Sequence, residues 1–187
     1  IKSIFPQEKD FDIIMNMKTC GIITEYNPFH QGHIYHIKKT KELTQCDCLI
    51  AIVSNHFTQR GLFSLLTMQD KTKLALEAGC NLVIELPPCY AAQSADYFAK
   101  YAVESLSQLH IDQICFGSET NNISTLKEYS KQMESTQVVP SLSMNQNLYT
   151  KNIRPNDILG IQYIKQCEKY GITPCTIAPV SYTHLRA

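Results

Sequence analysis

Two histidines, His30 and His33, stand three residues apart, with Gly32 between them and the turn-forming pair Asn27-Pro28 just before. Across the start of a helix, that spacing lets both imidazoles face one anion, and the free N–H groups and dipole of a helix N-terminus favour negative charge at the same place. Asn27-Pro28 can turn the chain out of a preceding strand. Gly32 has no Cβ, which leaves room for a phosphate or a flat base to approach the backbone. Attack on the α-phosphate of a nucleoside triphosphate such as ATP needs charge stabilisation on the phosphoryl oxygens and departing pyrophosphate more than a covalent nucleophile. Two imidazoles and a helix terminus supply it. Two other readings stay open. The histidines could be ordinary loop residues, or His30, His33 and His36 could bind a metal. The metal reading is the poorer, because offsets of three and six rotate successive side chains around a helix and tetrahedral nitrogen sites use other spacings.

The elements that must position these residues follow from the alternation of short apolar runs with longer amphipathic ones, the pattern of βα units feeding a parallel sheet. Residues 20–24 read as the first strand and 33–43 as the first helix, with Ile34, Ile37 and Leu43 at roughly helical spacing and Lys38, Lys39 and Lys41 turned outward. The near-continuous apolar run 48–54 suits a central strand covered on both faces, beside the first. Residues 68–78 read as a helix stopped by Gly79, and 82–86 as a strand stopped by Pro87-Pro88. A long helix over 90–109, a strand over 111–116 and a helix over 124–133 follow. The stretch 134–150 is polar and irregular in composition and reads as a mobile surface segment. Asn156 or Asp157 then caps a helix ending at Tyr170 before Gly171, and 173–178 forms the last strand. The expected fold is α/β, a Rossmann-like doubly wound parallel sheet of about five strands. In such a sheet the first βα connection, which holds His30 and His33, lies at the carboxyl edge where ligands bind.

A chain of 187 residues fits one domain and buries roughly two-thirds of the surface its unfolded form exposes. Lys plus Arg balance Asp plus Glu at 17 each, so no global field favours nucleic acid and any RNA contact is local. Eight cysteines occur with neither secreted-framework nor zinc-ribbon spacing, which points to a reducing cytoplasm. No apolar run approaches the roughly 20 residues that span a bilayer. Residue 1 is Ile and residues 2–16 carry no secretory pattern, so residues 1–16 read as an upstream extension and 17–180 as the domain. Residues 181–187 read as an artefactual tail.

His30-Gln31-Gly32-His33 resembles the His-x-Gly-His signature of the nucleotidyltransferase and class I aminoacyl-tRNA synthetase superfamily. The longer stretch from Gly21 to His36 resembles the N-terminus of the bacterial tRNA(Met) cytidine acetate ligases. The likeness continues in order through Gln59-Arg60-Gly61, Asn81-Leu82-Val83-Ile84-Glu85-Leu86-Pro87, Phe116-Gly117-Ser118-Glu119 and Asn156-Asp157-Ile158-Leu159-Gly160, covering roughly residues 17–177. It implies a nucleotidyltransferase (HUP-type) fold and an enzyme that activates acetate with ATP as acetyl-adenylate, then acetylates the wobble cytidine of elongator tRNA(Met). It also implies an ATP site of Ile23, Thr24, Glu25, Tyr26, Asn27, Pro28, Phe29, His30, Gln31, Gly32, His33, Ile34, Tyr35 and His36, joined by Gly117 and Asn156. His30 and His33 would stabilise the adenylation transition state, Arg60 would contact phosphate or RNA, and Mg2+ would accompany the triphosphate. The chain departs from the family at Asn55-His56-Phe57, where Gly-Asn-Phe is usual, and at Ala178-Pro179, where an ATP-contacting arginine is expected. The family's second nucleotide signature and C-terminal tRNA-binding region have no counterpart in this sequence. Competing readings are a small-molecule adenylyltransferase of cofactor biosynthesis and a non-catalytic ATP- or tRNA-binding fragment.

Other residues read as structural. Lys71 and Lys73 with Asp70 form an ordinary charged helix face. Glu85 is a strand-end hydrogen bonder or a site residue, and Glu119 faces the nucleotide or caps the next helix. Tyr90, Tyr97, Phe98 and Tyr101 pack in the core and at its rim rather than stacking bases. Cys20, Cys80, Cys89, Cys115, Cys167 and Cys175 serve as small apolar fillers.

Overall fold

The computed structural model describes residues 17–135 and 153–179. Both chain ends, and most of the stretch read above as polar and irregular, lie outside the described residues. The apolar runs form five strands, β1 (Thr19–Thr24), β2 (Cys48–Ser54), β3 (Leu82–Leu86), β4 (Gln113–Gly117) and β5 (Thr173–Ile177). Between β1 and β2 lies α1 (Gln31–Thr44), and between β2 and β3 lies α2 (Met68–Ala78). The short α3 (Pro88–Ala91) and α4 (Ala95–Ser107) connect β3 to β4, and α5 (Ile123–Ser135) and α6 (Pro155–Tyr170) precede β5. All strands pair in parallel in the order β3-β2-β1-β4-β5, the doubly wound Rossmann-like arrangement expected from the sequence. The order reverses between β1 and β4, so the crevice outside their carboxyl ends is the topological switch point.

Alternation along the strands builds two cores. Ile23, Ile50, Ile52, Ile114 and Phe116 face α4 and α6, with Phe98, Leu106 and Ile161 closing that side. Cys20, Ile22, Leu49, Ala51, Val53 and Cys115 face the other way, onto Ile37 of α1 and Ala75 of α2. Each fully buried Leu or Ile contributes roughly 1.5–3 kcal/mol relative to an exposed one. Gly79 and Gly171 end α2 and α6 in the left-handed conformation, at φ 116° and 69°, the stops their sequence positions predicted.

Two element boundaries differ from expectation. The helix read over 90–109 is broken: α3 ends at Ala91, and Ser94, extended at φ −60° and ψ 158°, restarts the chain as α4. Small and aromatic residues continue on both sides of the break, so periodicity does not reveal it. The cap of α6 is Arg154 rather than Asn156 or Asp157, because Pro155 takes the first helical position, where its missing N–H costs nothing.

Helix α6 approaches β4 closely at Gly160, where an added Cβ would lie 2.7 Å from Cε2 of Phe116. In an exposed helix a Gly→Ala change stabilises by about 1 kcal/mol. Here the sign reverses: Gly160→Ala is expected to lower the unfolding free energy in urea by about 1–3 kcal/mol, the range for overpacked cores.

Candidate nucleotide site

The chain leaves β1 through Glu25 and turns at Tyr26, whose φ of 49° is left-handed and whose ring is buried. The Asn27-Pro28 peptide that follows is cis. His30 is extended and caps α1: its Nδ1 accepts the Gly32 N–H at 3.1 Å, and the Nδ1 of His33 accepts the His30 N–H at 3.2 Å. These reciprocal bonds are those of a capping box, made by imidazoles in place of hydroxyl and carboxylate. A ring nitrogen that accepts carries no proton, so each neutral ring holds its proton on Nε2 and offers that N–H as a donor. The two rings lie 3.9 Å apart, and Tyr26 and Phe29 enclose His33 at 4.9 and 5.5 Å.

This packing sets the electrostatics. Burial, with the neighbouring His30 and His36 adding to it, pushes the pKa of His33 down to about 3. His33 is therefore a neutral donor before any anion arrives, not the cation that the pairing alone suggests. Burial likewise brings His36 down to about 4, and an interaction with the Cys115 backbone opposes that shift. The first turn of α1 holds no acidic residue, so the positive end of its dipole is uncompensated. Gly32 has a second consequence within the turn. A Cβ there would lie 2.8 Å from Cε1 of His30, so the missing side chain makes room for the capping ring.

Across the switch point, Gly117 ends β4 with nothing within 4 Å of where its Cβ would be. The following loop is held by Asp157, buried in the first turn of α6, which accepts from Ser118 Oγ at 2.5 Å and from Thr120 N and Oγ1 at 3.1 and 2.7 Å. Glu119 in turn accepts from Asn156 Nδ2 at 3.0 Å and from the Asp157 N–H at 3.2 Å, which makes it a cap for α6 rather than for α5. Gly117 and Asn156, far apart in the chain, thus share one loop cluster beside the histidine turn. Of the other residues in the expected ATP site, Ile23, Thr24 and Tyr26 have buried side chains, leaving their backbone at the sheet edge. Pro28, His30 and Gln31 are exposed, and Phe29, Ile34 and Tyr35 are half-buried. The side chains of Glu25 and Asn27 turn to the β2–α2 loop: Glu25 accepts the Gln59 N–H at 2.5 Å, and Asn27 bonds Phe63 O at 3.1 Å and the Leu65 N–H at 2.7 Å. Arg60 is exposed in that loop. Among the described residues no group of three or more His, Cys, Asp or Glu side chains is placed to hold a metal ion, and no helix is long and apolar enough to cross a membrane.

Three structural readings need correction. Lys71 is not on a solvated helix face: it is 1% exposed, and its Nζ donates to Ser54 O at 2.7 Å and Asn55 O at 3.3 Å. Burial lowers its pKa and nearby Glu25 opposes that shift. The sequence signal was present, since Lys71 sits four residues before Ala75 on the inward stripe of α2. Tyr90 and Tyr97 are surface residues, 39% and 49% exposed, stacked with Tyr101 at 4.2 and 6.3 Å, whereas Phe98 is core as expected. Cys89 is exposed, while Cys20, Cys80, Cys115 and Cys167 are buried fillers. Glu85 accepts from Asn55 Nδ2 at 2.7 Å, the strand-end role.

The histidine shifts carry a stability consequence. An unfolded histidine takes up its proton near pH 6.5, whereas folded His33 and His36 resist until about 3 and about 4. Between those values the unfolded chain binds more protons, so stability is full above pH 6.5 and falls as pH drops. Urea unfolding at pH 7 and pH 5 is expected to show a loss that the His33→Gln/His36→Gln double variant largely removes. An equal loss in both proteins would contradict the buried neutral state.

Comparison with known proteins gives concordant results. A family model described as HIGH Nucleotidyl Transferase matches residues 17–184. A tRNA(Met) cytidine acetate ligase of Geobacillus sp. (strain WCH70) is 40% identical, over 88% of this chain and 47% of its own length. The protein of the same name from Bacillus subtilis (strain 168) is 36% identical, over 88% and 46%. The chain spans about half the length of the curated relatives it matches. The crystal structure of Thermotoga maritima TmcAL bound with alpha-thio ATP superposes with a TM-score of 0.78 at 31% identity, covering 91% of this chain and 50% of that one. The family match takes in every strand from β1 to β5, and the chain belongs to the HIGH Nucleotidyl Transferase family.

Proposed function

We propose that this chain forms the nucleotide-activating portion of an ATP-dependent tRNA(Met) cytidine acetate ligase. ATP binds with its triphosphate at the N-terminus of α1, where an accompanying Mg2+ would help neutralise the phosphate charge. An acetate oxygen attacks the α-phosphorus, the bond to the β-phosphate breaks, and pyrophosphate leaves with the electron pair, giving acetyl-adenylate. The exocyclic amine of the wobble cytidine in elongator tRNA(Met) then attacks the acetyl carbon, loses a proton and releases AMP. Such a reaction places the protein in the cytoplasm, with residues 17–180 as its ATP-binding domain.

One observation carries this reading: the reciprocal capping of α1 by His30 and His33, which leaves two Nε2–H donors beside an uncompensated helix terminus at the switch point. Preorganised donors of this kind stabilise charge that builds on phosphoryl oxygens without reorganising during the reaction. The phosphates would also raise the pKa of His33 as they bind, strengthening that donor. Backbone from Ile23 to His36 would line the adenosine, with Gly117 and Asn156 on the opposite wall, and Arg60 would reach phosphate or RNA. The names of the relatives and the alpha-thio ATP in the Thermotoga protein support ATP and acetate transfer as the chemistry.

Acetate-dependent exchange of pyrophosphate into ATP tests the reading in the protein that carries this chain. His33→Ala is expected to keep the fold by circular dichroism and to cut exchange by about 100-fold or more, the scale for losing an oxyanion donor, with ATP affinity changed far less. Equal losses would leave His33 a purely binding role. Adenylylation of a phosphorylated metabolite in place of acetate would favour the cofactor-biosynthesis enzyme.

A further inference from the structure

Three side chains near the nucleotide turn do something that nucleotide binding does not require. Glu25 and Asn27 lie in the connection that leaves β1 for α1, yet both are spent on the β2–α2 loop, residues 55–67. Glu25 accepts the Gln59 N–H, and the Asn27 amide both donates to Phe63 O and accepts the Leu65 N–H. Lys71 holds the start of the same loop from beneath, through Ser54 O and Asn55 O. Gln59 adds a bond from its own side chain to Gln93 O, in the break between α3 and α4. The loop is thus pinned at both arms and closed at its tip by Thr58 N to Leu62 O and Gly61 N to Thr58 O, while the side chains of Arg60, Leu62 and Phe63 are exposed.

An amide that satisfies one donor and one acceptor in a neighbouring loop is a two-sided fastening, and burying an ammonium at 1% exposure is costly unless its donors are occupied. These bonds join the loop to the segment that changes surroundings when a nucleotide arrives, two residues before Phe29 and three before His30. Any shift of that turn moves the acceptors and donors that hold the loop. We propose that Glu25 and Asn27, supported by Lys71, are positioning residues that couple occupancy of the nucleotide turn to the conformation of the β2–α2 loop, so that the loop bearing Arg60 is set when ATP is bound. This rests on the nucleotide-binding reading of that turn. It assigns Glu25 and Asn27 to the loop rather than to direct contact with ATP through their side chains.

Arg60 makes the coupling measurable, because trypsin cuts after it, and cleavage of a transiently opened loop tracks the population of the open form. The whole chain would be digested with and without α,β-methylene-ATP, with cleavage after Arg60 followed by mass spectrometry and cleavage after exposed Lys73 as the internal control. In the unmodified protein the nucleotide is expected to slow cleavage after Arg60 by about fivefold or more, the lower end of measured couplings. Asn27→Ala is expected to speed cleavage without nucleotide and to abolish the protection. Where the substitution holds the loop open, linkage raises its nucleotide Kd by up to the protection factor seen in the unmodified protein. Lys71→Met provides a second variant away from the turn, expected to weaken protection in the same direction.

A merely structural role predicts faster cleavage in Asn27→Ala with the ratio between the two conditions unchanged, and that result would overturn the coupling. So would protection that persists in full in Asn27→Ala, which would mean that the nucleotide shields Arg60 directly. Calorimetry separates this from failure of the parent reading. Binding without loop protection sinks only the coupling, whereas no binding by the unmodified protein sinks both. Should Asn27→Ala fail to fold, Asn27→Asp keeps the acceptor for Leu65 and loses the donor to Phe63, and the same ratio decides.

Discussion

The first N–H groups of a helix have no partner within it, and α1 meets that constraint with imidazoles. A serine or aspartate at the cap would satisfy the same donors, but a carboxylate has no proton to donate and a serine hydroxyl carries its one proton on the capping oxygen itself. An imidazole accepts through one nitrogen and keeps an N–H on the other, so capping and donation are two ends of one side chain. His30 and His33 each do both. Much of the local structure follows from holding those rings in place. Gly32 has no side chain because the His30 ring occupies its space, and Tyr26 turns through a positive φ with its ring buried against His33. The burial that fixes His33 also strips its charge, so the site is preorganised with dipoles rather than with cations.

The remainder of the sheet edge serves to bring distant segments to this turn. Parallel pairing of β1 with β4 sets the histidine connection beside Gly117. Buried Asp157 then satisfies three donors from Ser118 and Thr120, and Glu119 returns two bonds to α6. Both carboxylates accept several hydrogen bonds near a helix N-terminus, where negative charge is favoured. The wall that carries Gly117 and Asn156 is therefore rigid, and the opposite wall, the β2–α2 loop, is fastened to the turn itself.

Most of the fold could be read from the chain. Residues 48–54 and 82–86 are apolar runs of strand length bounded by turn residues, and Gly79 and Gly171 mark their helix ends. What could not be read depended on where side chains point. Nothing in the spacing of Glu25 and Asn27 distinguishes a nucleotide contact from a bond to a loop some thirty-five residues on, because that depends on how β1 and β2 align. Tyr90 and Tyr97 lie among alanines whose periodicity continues through the break before α4, so their exposure is visible only once the chain turns at Ser94. Lys71 is the exception, a misreading the sequence could have prevented. Its residue type suggested solvent, whereas its place on the inward stripe of α2 required burial.

The central claim is that His30 and His33 are neutral Nε2–H donors before any nucleotide binds. Long-range nitrogen–proton correlation spectra of the histidine rings report tautomer and charge directly. At pH 7 both rings should show a protonated Nε2 and a bare Nδ1, His33 should remain neutral at pH 5, and a nonhydrolysable ATP analogue should perturb the two Nε2 signals. A protonated Nδ1 on either ring, or an imidazolium at His33 in the free protein at pH 5, would contradict the account.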